Sequence, residues 1–91
     1  MVAKTCFVDD EDDYFACVCM SGYSSEYDMD EDFMDGQTVR DVISEIESCC
    51  QELEERKKEF TDNCEFISYL EAWREVFTIA QKHPDATIRL V

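Results

Sequence analysis

Carboxylates are the groups in this chain whose number and spacing could do chemistry. Asp9-Asp10-Glu11-Asp12-Asp13 forms one run, and Glu26, Asp28, Asp30, Glu31, Asp32 and Asp35 form a second. Residues 1–36 hold eleven acids against one base, Lys4, a net of −10 out of the chain's −15. Charge concentrated in this way repels itself in a compact state, most strongly at low salt, and solubility alone needs far less of it. Such a surface attracts cations or a basic protein surface. It excludes direct binding of nucleic acid and of anionic membranes, both of which require Lys and Arg.

Cations are the first candidates. Asp28-x-Asp30-x-Asp32 begins like a calcium-binding EF-hand loop, but its sixth position is Phe33 instead of Gly and its twelfth is Val39 instead of Glu. Asp9-x-Glu11-x-Asp13 fails in the same way, with Tyr14 and Met20 at those positions. The six cysteines are Cys6, Cys17, Cys19, Cys49, Cys50 and Cys64. Cys17-x-Cys19 and Cys49-Cys50 lack the two-residue spacer with which paired thiolates share a zinc ion. They read as small core hydrophobes, expected to be reduced and cytoplasmic, since the first residues contain no apolar run of signal-peptide length. No metal site and no cofactor is expected.

Catalysis has little to build on. His83 is the only imidazole available to activate a nucleophile, and two glycines make no phosphate-binding loop. A pair of glycosidase-type carboxylates would need a cleft larger than a chain of 91 residues readily encloses. The expectation is a protein without catalytic residues.

The elements that must position the carboxylates follow from periodicity. With 45% hydrophobic residues and 12% aromatics the chain is too apolar for an acidic tail, and its length fits one domain, residues 1–91. Residues 2–8 read as a strand and 14–20 as a second, apolar on both faces and so expected to sit centrally or be covered on both sides. The acid run between them is then a hairpin tip. Residues 23–29 alternate and read either as a third strand or as an ordered loop. Both acidic segments are expected to emerge near the sheet. Thr38 and Asp41 open a helix over about 38–60, Asp62 and Glu65 cap a second that ends at His83-Pro84, and residues 86–91 form a closing strand beside the first hairpin. The fold class is α+β: a small antiparallel sheet packed on a helical hairpin. On the first helix Asp41, Glu45, Glu52, Glu55 and Glu59 fall along one stripe.

Tyr14, Tyr23, Tyr27 and Phe33 interleave with the acids. They either anchor the loops to the core, or Tyr23, Tyr27 or Phe33 supplies aromatic anchors inside an acidic interface, where partner Arg would meet both ring and carboxylate.

Short length, strong negative charge, aromatic interleaving and a compact α+β pattern together resemble the small acidic inhibitors of phages and mobile elements, DNA mimics and anti-CRISPR proteins among them. The resemblance is one of class, with no shared motif. It implies a non-catalytic inhibitor in the host cytoplasm that occupies a basic nucleic-acid-binding surface. The partner-binding residues are then Asp9, Asp10, Glu11, Asp12, Asp13, Glu26, Tyr27, Asp28, Asp30, Glu31, Asp32 and Asp35. Rows of carboxylates on a strand or helix imitate rows of phosphates. The alternative is an adaptor that assembles through its helical hairpin, where Ile67 and Ile79 lie off the main apolar face.

Overall fold

A computed structural model of the chain describes residues 4–9, 13–20, 26–29 and 31–91. Strands β1 (Lys4–Val8) and β2 (Tyr14–Cys19) form an antiparallel hairpin, and β3 (Thr87–Leu90) pairs antiparallel on the other side of β1. Helices α1 (Val39–Arg56) and α2 (Cys64–Lys82) pack as a hairpin against one face of this sheet. The α+β arrangement read from the periodicities is therefore the observed one. Part of the N-terminal strand and residues 23–25 of the 23–29 alternation lie outside the described residues. Of that alternation, Glu26 and Tyr27 form a turn and Asp28 and Met29 have no regular structure, so none of the described part is a strand.

The order of strands is β2-β1-β3, which corrects the expectation of a central β2. β1 is the middle strand, and Thr5 through Val8 are all buried. β2 carries the longer apolar run but lies at an edge, where Tyr14, Phe15, Cys17 and Cys19 are exposed. On the helix side Phe7 stands between Ala16 and Ile88 in register, and Phe7, Val18 and Ile88 enter the main core. On the opposite side Cys6 faces Cys17 directly, and the two are joined by a disulfide. The expectation of six reduced cysteines fails at this pair, because the register places both sulfurs on one face at one rung. The bond brackets the acidic hairpin tip.

The edge beyond β3 is covered by the segment leading into α1. The Gly36 amide donates to the Ile88 carbonyl at 2.8 Å, the Ile88 amide to the Gln37 carbonyl at 2.9 Å, and the Val39 amide to the Ala86 carbonyl at 2.8 Å. Gly36 has φ 76°, a left-handed conformation that glycine adopts without a Cβ penalty, and this turn swings the chain onto the β3 edge. Covering the edge satisfies its backbone groups and blocks strand addition there.

Helix α1 buries Val39, Val42, Ile46, Cys50 and Leu53 at intervals of three and four, the stripe that faces a core. It facesα2 through Phe66, Tyr69, Leu70, Trp73 and Val76. Arg74 and Glu54 form an ion pair across the two helices. The Cys50 thiol donates to the Trp73 carbonyl at 3.3 Å, and burial pushes its pKa up to about 11, so it is an inert core group. Thr38 occupies the N-cap position of α1 but makes no side-chain cap bond. α2 is capped by Asn63, whose Oδ1 accepts from the Phe66 amide at 3.1 Å, and not by Asp62 as the sequence implied. Replacing Asn63 by Ala should lower stability by about 1 kcal/mol in chemical denaturation, and Asn63→Asp should restore most of it.

Candidate protein-binding surface

The two acidic segments are held at different places. At the hairpin tip the Asp9 amide donates to the Asp13 carbonyl at 3.1 Å, and the Asp13 amide donates to Asp9 Oδ1 at 3.1 Å. The Asp9 carboxylate thus closes the turn as well as carrying charge, and both residues are exposed. Asp10, Glu11 and Asp12 lie outside the described residues. The tip borders a cleft formed by Phe15 and the 82–86 turn, where the His83 ring lies 4.6 Å from that of Phe15.

The second segment runs from the helical hairpin to the sheet: its Glu26 end lies by the helices, away from the sheet, and its Asp35 end meets β3, so the expectation that both segments emerge near the sheet holds only for that end. It starts beside the far end of α1, where Arg56 Nη2 donates to the Glu26 carbonyl at 2.6 Å and the guanidinium sits 5.8 Å from the Phe60 ring centre. Tyr27 is fully buried, with its ring centre 5.4 Å from Phe60, 5.2 Å from Phe66 and 5.7 Å from Tyr69. It anchors the segment and offers no surface to a partner, so the first of the two readings of the aromatics applies to it. Phe33 stacks parallel to Trp73 at 6.5 Å, and Met34 is fully buried. Tyr14 is exposed, and Tyr23 lies outside the described residues.

Between these anchors the Tyr69 hydroxyl forms the junction. It accepts from the Met29 amide at 2.8 Å and lies 3.0 Å from both Asp28 Oδ1 and Glu31 Oε1. With one proton to donate, it serves one carboxylate at a time. Burial, above all, pushes the phenol well above its ordinary 10.0, and the neighbouring Glu31 charge adds to this, so Tyr69 stays a donor at neutral pH. At the segment's end Asp35 Oδ1 accepts from the Leu90 amide at 3.2 Å.

The outcome is a row of carboxylates on a tethered backbone. Glu26, Asp28, Asp32 and Asp35 are exposed and Glu31 is half-buried; Asp30 lies outside the described residues. Asp41 and Glu45 of α1 join this row across a shallow groove floored by Met29, Phe33, Val42 and Cys49. The helical-wheel stripe already contained these two acids, but only the fold shows that they border the second acidic segment. Nothing in the sequence marked Tyr69 as its tether. Ile67 and Ile79 are both half-buried, and the large hydrophobics exposed among the described residues are Tyr14, Phe15 and Val91, none of them on a helix. Among the described residues no group of three or more His, Cys, Asp or Glu is placed to hold a metal ion.

Comparisons with protein-family models, characterised proteins and solved structures find no match.

Tyr69→Phe removes the junction while keeping the ring, and should cost about 1–3 kcal/mol in denaturant titration because the Met29 amide loses its partner. The raised phenol value has a pH signature. The folded state holds this proton more tightly than the unfolded one, so its contribution is complete below pH 10.0 and is lost as pH climbs from there toward the folded value. Stability of the native protein should therefore fall above pH 10.0 more steeply than that of Tyr69→Phe.

Proposed function

We propose that the protein is a non-catalytic inhibitor that binds the basic nucleic-acid-binding surface of a defence or host protein, in the manner of the anti-CRISPR and DNA-mimic class it resembles. The observation that carries this reading is the tethering of Glu26, Asp28, Asp32 and Asp35. Four exposed carboxylates within ten residues stand on a backbone tied down by Arg56, Tyr69 and the Leu90 amide. A Lys/Arg groove built to follow a phosphate backbone accepts such a row, and ordering it in advance lowers the entropic cost of binding. The carboxylates follow a turn and a 3-10 turn (Asp32–Met34), without the regular repeat of a strand. The mimicry is therefore of a charged track and not of an evenly spaced ladder.

The place of action is the cytoplasm of the host cell. Among the described residues no helix is long and apolar enough to cross a membrane. A reducing cytoplasm would open the Cys6–Cys17 bond and leave the hairpin to its ladder of hydrogen bonds and to Phe7 packing.

The test is capture of partners from host lysate at two salt concentrations, with and without competing DNA, followed by substitution of the tip. Asp9, Asp10, Asp12 and Asp13 changed together to Asn should weaken binding by roughly fourfold to several hundredfold, at about 0.2–1 kcal/mol per exposed charge, and should flatten its salt dependence. A partner displaced by DNA and by salt is expected. A partner indifferent to DNA, to these four substitutions and to Glu26→Gln with Asp32→Asn in the tethered segment would overturn the reading.

A further inference from the structure

The groove that Met29, Phe33 and Gln37 form with α1 combines features that a purely electrostatic decoy does not need. Its floor is apolar: Met29, Phe33 and Cys49 are half-buried and Val42 lies beneath them. The floor is also fixed. Phe33 stacks on Trp73, and the Met29 amide is held by Tyr69. On the α1 side Asp41 and Glu45 form the rim, one helical turn apart and both exposed. A like-charge pair at that spacing mildly destabilises a helix unless a cation stands between the two. Among the described residues no Lys or Arg lines the groove. Arg40, the nearest base in sequence to Asp41, is engaged with Asp85 at 2.8 Å.

We infer that this groove takes a basic segment of the partner protein in which an apolar side chain sits between Lys or Arg residues. The apolar side chain covers Met29, Phe33 and Cys49, while the flanking cations meet Asp41 and Glu45. The inference rests on the reading that the chain binds a basic protein surface, and it names the chemistry at one point of that surface. A second copy of this chain is a poor occupant, since each copy carries −15 and would bring acids to an acidic rim. The consequence is a division of labour. Attraction by the exposed carboxylates is screened by salt, whereas burial of the apolar side chain is not, so part of the affinity persists at ionic strengths that release a simple polycation.

Two synthetic peptides test this: one with Arg on both sides of a central Leu, and one identical except for Ser in place of Leu. Their affinities for the full chain are measured at about 0.15 M salt, where the Debye length is about 8 Å, with backbone amide shifts as the map. The Leu peptide should bind roughly tenfold tighter than the Ser peptide, with its largest shifts at Met29, Phe33, Val42 and Cys49. Cys49→Arg, which fills the floor with a charge, should bring the Leu peptide down to the level of the Ser peptide, whereas Glu45→Lys, a surface change that repels the flanking Arg residues, should weaken both peptides and leave the ratio between them. Folding of both variants is checked by the dispersion of the same spectra. Equal affinity of the two peptides, or shifts confined to the hairpin tip, overturns the groove assignment while leaving the charged-track reading in place. A Leu peptide that fills the groove, with a captured partner indifferent to the acid-run substitutions, supports the groove and overturns the inhibitor reading. A dimer in sedimentation that Cys49→Arg dissociates overturns the assignment in favour of a second copy.

Discussion

The Tyr69 hydroxyl stands between the Met29 amide and the carboxylates of Asp28 and Glu31, and the charged half of the chain depends on that junction. Carboxylates crowded this closely repel one another, and an untethered segment would relieve the repulsion by spreading into solvent. Here the spreading is opposed by buried aromatic rings. Tyr27 among Phe60, Phe66 and Tyr69, and Phe33 on Trp73, pin the backbone at two points, and Tyr69 holds the stretch between them. The rings point inward and the acids outward because the two kinds of side chain interleave along the segment.

The ends of the segment are secured by different chemistry. Arg56 binds a carbonyl at Glu26, using one of the few basic side chains to fix backbone. Asp35 gives its carboxylate to the Leu90 amide and so joins the segment to the sheet. From there Gly36 turns the chain along β3, which ties the start of α1 to the same edge. The acid-rich segment is thereby part of the fold's connectivity. The hairpin tip is simpler, a turn closed by Asp9 and Asp13 and supported by the β1–β2 ladder.

Much of this architecture was legible in the residues. Two apolar runs flanking an acid run gave the hairpin, and Val39, Val42, Ile46 and Leu53 marked α1 at its observed spacing. The return of the last strand to the first hairpin also holds. Where the reading failed, long-range packing made the decision. β2 is apolar on both faces, as a central strand would be, yet it lies at the edge while β1 takes the centre. Tyr14 and Tyr27 look alike in sequence, but Tyr27 meets Phe60, Phe66 and Tyr69 in space while Tyr14 meets solvent. The pairing of Asp28 with Tyr69 spans 41 positions and has no local signature. Cys6 and Cys17 required the register itself. The acids of the candidate site were conspicuous from composition; what holds them in place was not.

Hydrogen exchange at the Met29 amide tests the central claim, that the carboxylates are presented on an ordered backbone, most directly. That amide reports the Tyr69 junction without any substitution and without knowledge of the partner. Ordered presentation predicts protection approaching that of core amides in α2, persisting at low salt where repulsion among the acids is greatest. Exchange at the rate of an unstructured peptide would contradict it, and would reduce the segment to a solvated acidic loop.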